Sequence, residues 1–381
     1  MKKRISVFVV SLLIVFQPLM NSYAAEMTVS AQSAVLMCFN TGEVLYSKDA
    51  HKRLSMASTT KIMTSLLALE SGTPEREITV TKEMVTVDGT SMGLLPGDSV
   101  SLRELVYGMM LPSGNDAANT VAHVLGGSQE GFARMMNDRA KQIGMKNTNF
   151  VTASGLDSEE HYSTAYDMAL LAAECLANPE FVSICSARKA TLTYGNPPYR
   201  RTLSNHNRLL WSYDGAIGMK TGFTKKSGRC LVSAAERDGV TLIAVTLNAP
   251  DDWNDHIRML EYGFSVTETE EFSYDLTGVS VPVFGGNEKT VCVEMHSLPT
   301  LVKRSKVYSS VLLLSPYVYA PVSKGDSVGT LLVRYEDETV ARIDLIAVCD
   351  VEYKQPELQQ EEQKGYFEAL FRKIKDYFVQ R

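Results

Sequence analysis

Residues 28–265 begin and end with strand-like segments and hold helices between them, which restricts the fold more than any other feature. From Ser33 to Ser47 an apolar run, the turn Asn40-Thr41-Gly42-Glu43 and Val44-Leu45-Tyr46 predict a β-hairpin. Near the other end, Leu231–Ala235 and Val240–Leu247 predict two strands joined at Arg237-Asp238-Gly239, and His256–Phe264 predicts a helix packed on them. In the middle, Ile62, Met63, Leu66, Leu67 and Leu69 predict a buried helix stopped at Gly72. Ser101 and Glu104 form a capping box that opens a helix over Leu102–Leu111, which Pro112 ends. Another helix runs over Asp116–Leu125 to Gly126-Gly127, and residues 128–185 read as mainly helical. Such an order closes when the first hairpin and the last strands share one sheet and the helices form an insertion.

After about residue 266 the pattern becomes all-β. Thr290–Met295, Ser309–Leu314, Gly329–Tyr335 and Val340–Ala347 are short strands, the last two joined through Glu336-Asp337-Glu338. Strands this short need a second layer, so a small sandwich is expected. A hydrophobic fraction of 45% and a charged fraction of 22% exclude a disordered, collagenous or multispanning chain. The 38 basic and 44 acidic residues give a net charge of −6, which argues against a protein built to hold nucleic acid.

Both termini depart from this body. Met1-Lys2-Lys3-Arg4, an apolar run from Ile5 to Leu19 and Ser22-Tyr23-Ala24 have the layout of a cleavable export signal. An uncleaved anchor is the competing reading, disfavoured by the short apolar length. Loss of residues 1–24 would remove three positive charges and leave −9. Export permits disulfides among the six cysteines, with Cys292 and Cys349 the first pair to test, whereas Cys38 and Cys230 read as small buried hydrophobes. At the far end, Tyr366, Phe367, Leu370, Phe371, Ile374, Tyr377 and Phe378 recur at helical spacing opposite a basic face. That arrangement fits a helix lying flat on a membrane surface; a helix docked on the protein's own surface is the alternative.

Three short motifs occur in order: Ser58-Thr59-Thr60-Lys61, Ser113-Gly114-Asn115 and Lys220-Thr221-Gly222. Each alone is weak, since Ser186-Ala187-Arg188-Lys189 repeats the first spacing and a turn or strand entry explains the others. Their physical grouping is stronger. Ser58 and Lys61, three residues apart, share one helix face near its N-terminus, where free N–H groups favour negative charge. Lys61 emerges from an apolar helix, so desolvation should lower its pKa and make it a usable base. Ser113 and Asn115 occupy a break between helices, and an edge strand ending at Lys220-Thr221-Gly222 would present backbone groups to a peptide and a cation to a carboxylate.

With these residues the sequence resembles the serine D-Ala-D-Ala carboxypeptidases, the low-molecular-mass penicillin-binding proteins of peptidase family S11. The likeness is carried by Ala57–Thr64, Leu111–Ala118, Tyr162–Ala169 and Gly215–Gly228. It implies an α+β chain organised as a signal peptide (1–24), a β-lactamase/transpeptidase-like domain with an antiparallel sheet and helical insertion (25–265), an all-β domain (266–353), and a linker with a membrane-anchor helix (354–381). It further implies that Ser58 attacks the bond between the two terminal D-alanines of a peptidoglycan stem peptide and that Lys61 takes its proton. Ser113 would relay a proton to the leaving D-Ala, and Asn115 would hold Lys61 and the substrate amide. Lys220, Thr221 and Gly222 would grip the substrate, with the oxyanion held by the backbone N–H groups of Ser58 and Phe223. Penicillins would acylate Ser58, and the enzyme would work outside the cytoplasm as a peripheral membrane protein.

Two departures are visible. Ser154 stands before Gly155-Leu156-Asp157 where several relatives have histidine, and Asp251-Asp252-Trp253-Asn254-Asp255 holds no arginine for the substrate carboxylate, Arg258 lying late. Asp167 matches a family position and reads as helix support. The rivals are a serine β-lactamase, for which Glu174 would have to activate water, and a non-catalytic cell-wall protein, for which Ser58 with Lys61 has no use. The six histidines show no metal-binding spacing, so neither metal nor cofactor is expected.

Overall fold

The structure is a computed structural model that describes residues 27–271, 273–297, 300–303, 308–335, 338–355 and 368–375. The expected signal peptide (1–24) and most of the expected linker before the last helix lie outside the described residues.

In the first domain the apolar runs pair as expected. β1 (Ser33–Cys38) and β2 (Val44–Lys48) form the N-terminal hairpin, and the chain then enters a 3-10 turn (Ala57–Thr60) continuous with α1 (Lys61–Glu70). A small ribbon, β3 (Glu77–Thr79) with β4 (Ser99–Ser101), brackets the short α2 (Lys82–Val85). The helical insertion comprises α3 (Leu102–Met110), α4 (Asn115–Gly126), α5 (Gln129–Ile143), α6 (Ala165–Leu176) and α7 (Pro179–Cys185). Then follow the hairpin β5 (Lys189–Gly195) with β6 (Pro198–Ser204), α8 (Leu209–Ser212), β7 (Ala216–Thr224), β8 (Gly228–Arg237), β9 (Val240–Leu247) and α9 (Asp252–Val266).

The sheet order β2-β1-β9-β8-β7 joins the two ends of the domain, every pair antiparallel. β1 and β9 are buried along their whole lengths because both sheet faces are covered. On one face Val35, Met37, Ile243 and Val245 pack with Ile62, Met63, Leu66 and the insertion helices; on the other Leu36, Leu242 and Ala244 pack with Met259 and Leu260 of α9. The buried Asp255 of α9 ties down the entering chain, accepting from Ser30 N–H at 2.9 Å, Ser30 Oγ at 2.7 Å and Ala31 N–H at 3.1 Å. This sheet has β2 at one edge and β7 at the other.

The second domain pairs β10 (Glu268–Glu271) with β13 (Thr300–Lys303). Its main sheet contains β11 (Ser280–Phe284), β12 (Thr290–Met295), β14 (Ser309–Leu314), β15 (Val318–Tyr319), β16 (Ser327–Tyr335) and β17 (Glu338–Ala347) in the order β14-β16-β17-β12-β11-β15. Strict alternation buries Val281, Val283, Val291 and Val293 and turns Phe284 and Cys292 outward. The Cys292 carbonyl accepts from Val348 N–H at 3.1 Å, which brings Cys349 to the neighbouring strand end; both thiols are free and exposed, and Cys38, Cys175, Cys185 and Cys230 are free and buried.

Two expectations need correction. Residues 147–164 are mostly irregular rather than helical, because their polar groups are satisfied locally: Asp167 accepts from Asn147 N–H and Thr148 Oγ1, and Asn137 exchanges bonds with the Phe150 backbone. Lys220-Thr221-Gly222 lies inside a nine-residue strand rather than at a strand end.

Candidate active site

Ser58 sits in the 3-10 turn that begins α1, with Ala57 before it at φ +48°. Two close approaches hold this turn. Gly155, at φ +84°, packs so tightly on the Ala57 carbonyl that an added Cβ would overlap it. Gly222 of β7 lies where a Cβ would stand 2.9 Å from Met56 O and 3.1 Å from Ser58 N. Glycine in Lys220-Thr221-Gly222 is therefore what lets the edge strand reach the turn that carries Ser58.

Below the turn, Thr60 Oγ1 donates to the Ala57 carbonyl at 2.8 Å and lies 2.8 Å from His161 Nε2. Because that hydroxyl proton is committed to Ala57 and Val151 N–H donates to His161 Nδ1 at 2.9 Å, the histidine carries its proton on Nε2. Burial pushes the His161 pKa down to about 4, so the ring stays neutral in this role.

Lys61 is fully buried, with Nζ 2.8 Å from Ser58 Oγ and 2.7 Å from the Ser154 carbonyl, to which it donates. Its pKa is held well below the ordinary value, first by burial and then by the neighbouring Lys220 cation, against an opposing pull from Asp116. Burial thus favours the amine form of a lysine already in contact with a serine hydroxyl, an arrangement that suits a general base. Ser154 contributes its carbonyl, for which side-chain identity gives no sequence signal.

Ser113 follows Pro112 with φ +66°, and its carbonyl accepts from Thr90 Oγ1 at 2.6 Å. The expected hold of Asn115 on Lys61 is not present. Asn115 Nδ2 donates instead to the Asp88 carbonyl at 2.6 Å, while its buried Oδ1 has no partner among the described residues. Behind it the buried Asp116 accepts from the N–H groups of Met92, Gly93 and Leu94 at 2.8–3.0 Å and from Ser91 Oγ at 2.6 Å. The irregular loop over residues 86–98 is therefore tied to the same helix start as Ser113.

Lys220 is buried, donates to the Thr221 carbonyl at 2.9 Å, and has its pKa pushed down by burial to about 7. Ser58, Thr90, Ser113, His206, Arg208, Thr221, Gly222, Phe223, Arg229, Asp252 and Trp253 line one cleft of about 500 Å³. Three separate elements of the sequence thus meet in one cavity. Lys61, Asn115 and Lys220 stand behind its wall, and Phe223 stands at its mouth, 66% exposed.

Arg208 and Arg229 are cleft residues that the sequence reading missed. Arg229, paired with Phe223 across β7 and β8, donates from Nε to Asp252 at 2.9 Å, and Nη2 lies 2.7 Å from the same carboxylate. Its place depends on strand register, which no local motif encodes. Arg258 lies elsewhere, bound to Asp255, and Glu174 is engaged by Arg139 on the far side of α6. The second S-x-x-K set contributes nothing to the cleft: Ser186 caps α7 and Lys189 is exposed.

Comparison with known proteins agrees with this geometry. The family profile described as D-alanyl-D-alanine carboxypeptidase matches residues 20–251, and that described as penicillin-binding protein 5, C-terminal domain matches residues 269–353. The chain is 33% identical over 340 residues to D-alanyl-D-alanine carboxypeptidase DacF of Bacillus subtilis (strain 168), covering 86% of this chain and 87% of that one. It is 34% identical over 368 residues to D-alanyl-D-alanine carboxypeptidase DacC of Escherichia coli (strain K12), covering 89% and 90%. The crystal structure of D-alanyl-D-alanine carboxypeptidase DacD from Francisella tularensis superposes with a TM-score of 0.61 at 28% identity, covering 87% of this chain and 95% of that one. The Streptomyces K15 DD-transpeptidase superposes with a TM-score of 0.60 at 33% identity, covering 62% and 98%.

Proposed function

The chain belongs to the D-alanyl-D-alanine carboxypeptidase family, and from that premise we propose how its own residues remove the terminal D-Ala of a peptidoglycan stem peptide. The contact between the buried Lys61 and Ser58 carries the reading. Lys61 accepts the Ser58 proton as Oγ attacks the carbonyl between the two D-alanines. The N–H groups of Ser58 and Phe223, brought together by the Gly222 approach, stabilise the oxyanion. Once Lys61 is charged, the unpartnered Asn115 Oδ1 is an acceptor for it or for the substrate amide. Ser113 carries the proton to the departing D-Ala nitrogen, and water then hydrolyses the Ser58 ester. Penicillins acylate the same oxygen. The test is uptake of a fluorescent penicillin together with D-Ala release from a soluble pentapeptide; folded protein doing neither would refute the reading.

The terminal carboxylate of the substrate is received by Thr221, Arg208 and Arg229, with Lys220 behind them. Arg229→Ala should raise KM for the pentapeptide about tenfold with little change in kcat, as loss of a ground-state contact does. An unchanged KM would remove Arg229 from this role. The pH profile provides a separate check. In the free enzyme Lys220 loses its proton as pH rises through about 7, so kcat/KM should fall above that pH. A bound carboxylate restores the proton, so kcat should hold to higher pH. A flat kcat/KM from pH 6 to 9 would contradict a cationic Lys220 in binding.

In this reading the enzyme works at the outer face of the cell membrane, which the export-signal pattern of residues 1–24 and the amphipathic pattern of the last residues support. The described residues 368–375 are helical, and Leu370, Phe371 and Ile374 are exposed along them, an apolar stripe with no protein cover among the described residues. Ending the chain at Gln363 should abolish co-sedimentation with anionic vesicles and leave peptide hydrolysis intact; unchanged sedimentation would refute the anchor.

A further inference from the structure

Four aromatic residues stand exposed at one edge of the β domain: Phe284 at 56%, Tyr317 at 45%, Tyr319 at 70% and Tyr353 at 62%. They are brought together by backbone pairing. β11 and β15 run parallel with Phe284 opposite Tyr319, and Tyr353 bridges to Gly286 with its ring against Gly285. Phe284 and Tyr317 stand 5.2 Å apart at 86°, Tyr317 and Tyr319 5.4 Å apart at 78°, and Phe284 and Tyr319 6.2 Å apart at 43°.

We propose that this edge of the β domain is a second membrane contact, with the four rings seated at the lipid headgroup level. Mutually tilted rings offer no flat platform for stacking on a sugar, whereas tyrosines with an apolar body and a polar tip suit the water–lipid boundary. The path of the chain selects the occupant. Lys354 N–H donates to the Gly285 carbonyl at 2.7 Å, so the polypeptide leaves the domain beside the patch, and Lys354 follows Tyr353 as a cation for anionic headgroups. The expected anchor begins at Lys364, and ten residues reach at most about 36 Å. The inference rests on the anchor reading: a helix held on the membrane by this short tether keeps the aromatic edge within reach of the same surface.

The experiment uses the mature full chain carrying Tyr319→Trp and vesicles of phosphatidylcholine and phosphatidylglycerol in equal parts, the phosphatidylcholine brominated on its acyl chains. Wild-type protein supplies the background from Trp211 and Trp253. Bromolipid should quench more than about half of the added emission. Phe284→Ser with Tyr319→Ser should weaken vesicle binding about tenfold. Vesicle binding without quenching overturns the second contact and leaves the anchor standing; no vesicle binding by the full chain overturns both. Binding to purified peptidoglycan that the double variant loses, with the added indole unquenched, would assign the patch to glycan and overturn the membrane contact.

Discussion

Ser58→Ala should lower D-Ala release from a soluble pentapeptide by about ten-thousand-fold or more and abolish covalent labelling by fluorescent penicillin. The expectation follows from one oxygen. Ser58 Oγ faces the cleft and lies against the base Lys61, so its removal takes away the only route to an ester at that point. The half-buried side chain carries little of the packing, so melting temperature should move by no more than a few degrees. Covalent labelling retained by Ser58→Ala would put the nucleophile elsewhere.

Lys61→Met should slow acylation by about a thousandfold without eliminating it, the usual loss when a positioned base is removed. Methionine matches the apolar surroundings of the α1 interior, but the Ser154 carbonyl loses its donor, at a cost of about 1–3 kcal/mol. Relief from burying an amine offsets part of that cost, so a folded variant is expected. Wild-type acylation should rise with pH only until Lys61 is deprotonated, below the ordinary lysine range. The variant, lacking the base, should continue to gain rate as hydroxide increases. A variant with the wild-type profile would show that Lys61 does not take the proton.

The chemistry was legible because its groups are spaced by a single helical turn or lie in triplets. Ser58 with Lys61 needed only the periodicity of α1, and the apolar neighbours that bury Lys61 also announced its lowered basicity. The sheet closure was legible for a similar reason: β9 is apolar over its whole length, as a strand covered on both faces must be. The β5–β6 hairpin was not read although β5 alternates, with Ala190, Leu192 and Tyr194 turned to the core, because its partner β6 exposes Tyr199, Arg200 and Thr202 and buries only Leu203, so no second apolar run marks the pair.

Contacts between distant segments were the least readable. Asp116 organises the 86–98 loop through three backbone N–H groups, Ser154 and Asp88 act through carbonyls, and none of these depends on a recognisable partner side chain. Arg229 reaches the cleft through the pairing of β8 with β7, and Gly155 acts by what it lacks. Asn115 shows the converse, a motif residue in the right place whose amide turns to a loop carbonyl instead of the lysine.

The central claim is an acyl-enzyme at Ser58, and the most direct test is mass spectrometry of the intact chain after incubation with penicillin, followed by peptide mapping. The account predicts one adduct of the mass of the intact penicillin, carried by the peptide containing Ser58. An adduct on Ser113, the other serine of the cleft, or no adduct on folded protein, would contradict it.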